Sequence, residues 1–246
     1  MPRFKAIIAY DGTHFSGYQV QPGKRTVQLE LEEALKRMHK GEAHRVTASG
    51  RTDAGVHAFG QVIHFDSSLN VPAPNWVRAL NSLLPKDILI RSVEDAADDF
   101  HARFDVQEKE YRFKILNRKE PDVFRQNYSV HVPDQLDLSQ MREGAKWVIG
   151  THDFTSFCAA NTSVVDKVRT VSSLDICETH EDELEVRIAG NGFLYQMVRI
   201  VVGHLIAVGR GKAAPIEIKQ ILEAKDRTVG YPTAPPQGLY LWRVTY

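Results

Sequence analysis

Between Thr26 and His39, apolar residues fall at Val27, Leu31, Ala34, Leu35 and Met38. Spacings of four, three, one and three place them on one stripe, which predicts an amphipathic helix over Val27–Met38. Glu30, Glu32 and Glu33 precede Lys36 and Arg37, the order that the helix dipole favours. Val71–Leu84 reads as a second helix with Trp76, Val77, Leu80 and Leu84 on one side. Short β-prone runs surround these helices: Phe4–Tyr10, Arg45–Ser49, Gln61–Phe65 and Ile88–Val93. The first half therefore has the order β-α-β-β-α-β, the split βαβ or ferredoxin-like arrangement.

The second half follows that order loosely. In Glu110–Leu116, Tyr111, Phe113 and Ile115 alternate with charged neighbours, the pattern of a half-buried strand. Leu138–Ile149 reads as a helix, Thr170–Glu178 and Leu184–Ala189 as strands, Phe193–Val208 and Pro215–Ala224 as helices, and Leu239–Tyr246 as a closing strand. Lys119–Pro133 and Arg227–Gly238 read as loops, with two and three prolines. The expectation is an α+β fold of two related halves, residues 1–105 and 106–246, with the seam near Phe100–Lys109. The most apolar stretch, Phe193–Val208, contains Gln196, Arg199, Gly203 and His204, which makes it too short and too polar for a membrane span. The start, MPRFKAIIAYDG, lacks an apolar signal region, so a cytoplasmic protein is expected.

Composition narrows the function classes. The 246 residues carry 31 basic and 31 acidic side chains, and each half is neutral by itself. Neither half is a basic module, so any polyanion site must be built by segregating charge across the fold. Only two cysteines occur, Cys158 and Cys177, which excludes a disulfide scaffold, argues against a zinc cluster and suits two reduced thiols. His57 and His64 lie near Asp66, but no second cluster accompanies them, and structural roles fit them better than metal ligation.

Three segments carry candidate chemistry. In Gly50-Arg51-Thr52-Asp53-Ala54-Gly55-Val56-His57-Ala58, the glycines permit backbone conformations closed to other residues. Such a loop can present the Asp53 carboxylate for nucleophilic or acid–base work, with Arg51 two residues away. Asp followed two residues later by Gly is equally the pattern of a plain turn. In the apolar helix Phe193–Val208, Arg199 is the only charged residue. A buried guanidinium needs a partner, and Asp53 is one candidate. Snorkelling to the surface, or pairing with a purely structural acid, would also satisfy it. Around Phe100–Phe104 and Tyr111, an exposed aromatic beside arginine could stack a nucleobase. Phe113 reads as core, whereas amphipathic Tyr111 suits the edge of a cleft.

Taken together, the motifs resemble the tRNA pseudouridine synthase A family. Gly50–Ala58 is similar to its signature loop. Asp11-Gly12-Thr13 with Phe15–Gln19 and Gln21 is similar to its N-terminal motif, and Phe100–Phe104 with Tyr111 to its middle motif. Thr151–Phe157, Val168–Val171, Phe193–Gly203 and Ala234–Leu239 fit further blocks in the right order. Tyr18 stands where Trp is common, Gln196 and Ile200 where His and Asn are common, and Phe113 replaces a frequent Tyr. These departures bear on packing and RNA contacts and leave the reaction class in place.

The resemblance implies an isomerase that converts uridine to pseudouridine at positions 38, 39 and 40 of the tRNA anticodon stem-loop. It implies a mixed, mainly antiparallel sheet with helices on one side and a cleft between RNA-recognition-like halves. It also implies a homodimer that needs neither cofactor nor metal. On this resemblance Asp53 is the essential carboxylate, attacking C1′ or C6 or removing a sugar proton. Arg51 fills the space of the flipped base or binds phosphate, Tyr111 stacks on the uracil, and Arg199 pairs with Asp53. The alternative is a non-catalytic RNA-binding protein of the same fold.

Overall fold

The strand Arg3–Tyr10 (β1) alternates half-buried and buried positions along its length, and its buried set, Phe4, Ala6, Ile8 and Tyr10, marks the face that the helices cover. We describe a computed structural model, covering every residue except 161, 163 and 181. The chain forms two units, Met1–Gln107 with Tyr240–Tyr246, and Glu108–Leu239.

In the first unit β1 is followed by α1 (Val27–Met38), β2 (Thr47–Ala48), β3 (His57–Asp66), α2 (Ala73–Leu83) and β4 (Ile88–Ala96). β1 lies between β3 and β4 and is antiparallel to both. Because β1 occupies one edge of β3, two strands share the other edge. β2 pairs there with Ile63 and His64, and the chain's last strand, β10 (Leu239–Thr245), runs parallel at His57 and Ala58. Phe4, Phe65 and Trp76 stack into an aromatic core with ring centroids 5.2 to 5.5 Å apart. Val27, Leu31, Ala34 and Leu35 are the buried stripe of α1.

The second unit contains β5 (Glu108–Leu116), β6 (Val130–His131), α3 (Leu138–Ala145), β7 (Gly150–Asp153), β8 (Val168–His180), β9 (Glu183–Gly190), α4 (Met197–Gly209) and α5 (Glu217–Ala224). Its strands run β5-β9-β8-β7, all antiparallel, with β6 added parallel to β5. The architecture is the expected α+β class with a mixed, mostly antiparallel sheet. In α4, every residue except Arg199 and Gly203 is buried, as its all-round apolar sequence requires. That helix starts at Met197 rather than Phe193 because Gln196 sits in the left-handed region (φ 61°), which ends any helix approaching from its N-terminal side.

His64 illustrates how histidine is used in this fold. Its Nδ1 accepts the Ala102 N–H at 3.0 Å, so the ring is neutral there. Burial, reinforced by the charges of Arg3 and His101, pushes its pKa down to about 4 from an ordinary 6.5. Between those values the unfolded chain binds a proton that the folded chain does not, so stability falls as pH drops through this window. Urea unfolding at a pH of about 7, 5.5 and 4.5 is expected to show a steeper loss for the wild type than for His64→Asn. Parallel losses would mean that His64 does not carry the effect.

Candidate active site

The Gly50–Val56 loop leaves the sheet after β2 and re-enters it at β3. Its turn is closed by the Val56 N–H donating to the Asp53 carbonyl at 3.1 Å, with Gly55 at φ 77° in the third position. A positive φ there calls for glycine. Asp53 therefore heads a β-turn, as the local pattern suggested, and that turn is closed by its backbone carbonyl. The Asp53 side chain is half-buried and Arg51 is exposed.

Both sides of Asp53 are clamped. Thr52 is held twice: its carbonyl accepts the Tyr18 N–H at 3.1 Å, and its hydroxyl meets the Tyr10 hydroxyl at 2.8 Å. Burial pushes the Tyr10 phenol up to about 12, so it stays protonated at that contact. Gly17, at φ 88°, lies under the same carbonyl, where an added Cβ would come within 2.9 Å of the Thr52 oxygen. Upstream, the buried Gln61 amide donates to the Gly50 carbonyl at 2.8 Å and accepts from the Ser49 hydroxyl at 2.6 Å.

Downstream, Gly12 packs directly on the Val56 backbone, and its N–H donates to His57 Nδ1 at 3.0 Å. Asp11 Oδ1 also lies 3.2 Å from that nitrogen, but the Gly12 donation makes Nδ1 an acceptor, so in this tautomer the approach is not an ion pair. The His57 ring stacks on Tyr240 at 4.7 Å. The N-terminal motif is thus the cradle of the Asp53 loop. Sequence reasoning singled out both segments and missed the clamps, because Tyr10 and Gln61 look like ordinary strand residues.

In the second unit, Tyr111 is only 8% exposed and sits on the core face of β5 with Phe113 and Ile115. It meets the Phe193 ring edge-on at 5.2 Å. The exposed aromatic of the middle motif is Phe104, 74% exposed and stacked on His101 at 4.2 Å. Arg199 is half-buried. Its Nε donates to the Ala234 carbonyl at 2.8 Å, and the Ala234 N–H donates back to the Arg199 carbonyl at 3.0 Å.

The same face of α4 holds the 231–234 segment at two further points. A Cβ on Gly203 would overlap the Pro232 carbonyl, and His204 Nε2 accepts the Tyr231 N–H at 3.0 Å. The Thr151–Phe157 motif is structural: the Ser156 hydroxyl donates to the Ile221 carbonyl and accepts the Asp226 N–H. Both cysteines are free thiols, and burial raises the pKa of Cys158. Among the described residues no group of His, Cys, Asp or Glu could hold a metal ion, and no helix is long and apolar enough to cross a membrane.

The model of a family described as tRNA pseudouridine synthase matches residues 6–105 and 145–246. The chain belongs to the tRNA pseudouridine synthase family. It is 57% identical over 244 residues to tRNA pseudouridine synthase A of Geobacillus kaustophilus (strain HTA426), covering 99% of this chain and 94% of the relative. It is also 57% identical over 245 residues to tRNA pseudouridine synthase A of Bacillus subtilis (strain 168), covering 99% of each. Among solved structures, the archaeal box H/ACA sRNP Nop10–Cbf5 complex aligns with a TM-score of 0.36 at 14% identity, over 83% of this chain and 44% of that one. The first matched stretch contains the Asp53 loop and most of its cradle, and the second contains α4 with Arg199.

Proposed function

We propose that this member of the family isomerises uridine to pseudouridine in tRNA, at positions 38, 39 and 40 of the anticodon stem-loop, with Asp53 as the catalytic carboxylate. The observation that carries this reading is the Asp53 turn, clamped at Thr52 and at Val56 by a motif that lies within the family match. Rigid placement of one carboxylate is what such chemistry asks of a protein.

The reaction balances without any other reagent. The C1′–N1 bond breaks, the uracil turns, a C1′–C5 bond forms, C5 gives up its proton and N1 takes one. The product is an isomer of the substrate, so no electrons need a donor or acceptor. A target inside a stacked stem must first be flipped out. In this proposal exposed Arg51 takes the vacated space or a phosphate, and Tyr111 stacks on the uracil. Arg199, oriented through its Nε by the Ala234 carbonyl, pairs with Asp53 and holds it ionised. The enzyme works in the cytoplasm as a homodimer, which lets two neutral chains frame one basic channel.

Tritium release from C5-labelled uridine in an unmodified tRNA tests the reading, because each turnover frees the C5 hydrogen. Release by the wild type is the expected result. Binding without release would favour the RNA-binding alternative, and free uracil would indicate a glycosidase. For Arg199→Leu, kcat/KM is expected to fall at least ~10-fold, since removing one partner strands a half-buried charge. The acidic limb of its pH–rate profile should move to higher pH, as loss of a neighbouring cation disfavours the carboxylate. An unmoved limb would count against the pair.

A further inference from the structure

We infer that Arg91 is a fixed contact for the phosphate backbone of the RNA substrate, beside the Asp53 loop and separate from the residues assigned above. This rests on the tRNA-directed reading. Arg91 is exposed on β4 and is nevertheless held in place. Its Nη1 donates to the Phe59 carbonyl at 2.9 Å, and its guanidinium lies 4.1 Å from the centre of the Phe59 ring. Phe59 in turn stacks on Trp242 of β10, 4.4 Å away and 11° from parallel. The three side chains form a ladder whose outermost rung is a cation.

The surroundings favour an anion. Arg91 is in no ion pair among the described residues, and the nearest acid along its strand toward the loop end, Asp87, is committed to Arg25 at 2.7 Å. Glu94, three residues the other way, pairs with Lys5 at 2.9 Å. The ladder itself is open, with Phe59 43% exposed, and so is Leu89 two residues before Arg91 on β4, at 52%. An isolated surface cation ordinarily keeps its rotamer freedom. Here the freedom has been given up in advance, which is the condition under which an arginine binds phosphate most effectively.

The position fits the same role. Phe59 and His57 point to the same face of β3, two residues apart, so about 7 Å separates the ladder from the histidine under the catalytic loop. His57 carries the Gly12 clamp, so the ladder stands two strand positions along β3 from the cradle of the Asp53 loop. A chain with zero net charge has to concentrate its phosphate contacts at such points.

The test is binding of an unmodified tRNA transcript to the full-length protein across a salt series, with tritium release measured alongside. Arg91→Ala is expected to weaken binding about three- to tenfold at low salt and to reduce the slope of log affinity against log salt by about one. Arg91→Lys keeps the charge and should keep the slope. Phe59→Ala should weaken binding less, again with the slope intact, because the cation remains and only its fixation is lost. A wild-type slope in Arg91→Ala overturns the inference. So does a change in the sedimentation of the RNA-free Arg91→Ala protein, which would assign the ladder to a second copy of the chain. If wild type binds tRNA and releases tritium while Arg91→Ala behaves identically, this contact alone fails. If wild type neither binds nor releases, the tRNA-directed reading fails and this contact fails with it.

Discussion

Asp53→Asn is expected to abolish uridine isomerisation while leaving tRNA affinity within a few-fold of wild type. A positioned proton-transfer group is worth ~10²–10⁴-fold, and removal of a nucleophile costs on the order of 10⁶-fold in a hydrolytic enzyme. A drop of at least ~100-fold is therefore the floor. The substitution is nearly isosteric, and the turn is closed through the Asp53 backbone carbonyl, which asparagine retains. Thr52 and Val56 keep their clamps to Tyr10, Tyr18 and Gly12. The readouts are tritium release and filter binding on the same tRNA preparation. Turnover within tenfold of wild type would remove Asp53 from the chemistry. Matched losses in binding and turnover would instead point to a damaged loop.

Helix α1 was legible from the chain because everything that defines it is local. Its stripe repeats at helical spacing, and it ends where the periodicity ends. Strands β1, β5 and β9 were legible because each is alternating or apolar enough to declare itself. The misses have a different cause. β6 has two residues and β7 four, and they exist because β5 and β8 offer them an edge. Neither carries a pattern of its own. β2 was expected over Arg45–Ser49 and shrinks to Thr47–Ala48, a two-residue pairing with Ile63 and His64. The start of α4 depends on a left-handed Gln196, and glutamine gives no turn signal.

The same division holds at the site. Gly55 marks the Asp53 turn within four residues of sequence. The hydroxyl contact from Tyr10 to Thr52 spans 42 residues, and the Arg199 bond to Ala234 spans 35. Those partners became visible only when the chain was folded. Tyr111 shows the converse: an amphipathic side chain read as a cleft edge lies almost covered on the core face of its strand.

The cradle itself can be broken at one atom. Gly12→Ala is expected to lower kcat/KM about 100-fold, the penalty for misplacing a reacting group by about 1 Å. An added Cβ would overlap the carbonyl of Val56, and both neighbours are backbone, so no flexible side chain can swing aside. β3 is fixed by β1 on one edge and by β10 and β2 on the other, which leaves the 53–56 turn as the part that yields. Yielding also strains the Gly12 N–H bond to His57. A stability loss of ~1–3 kcal/mol should accompany the change, as for other overpacked sites. Gly41→Ala separates the two effects. Gly41 has φ 102° and open space around it, so alanine there costs stability through backbone strain and leaves the loop alone. Tritium release at 25 °C should remain near wild type for Gly41→Ala and collapse for Gly12→Ala, although both proteins melt early. Equal activities at equal stability loss would show that the cradle does not position Asp53.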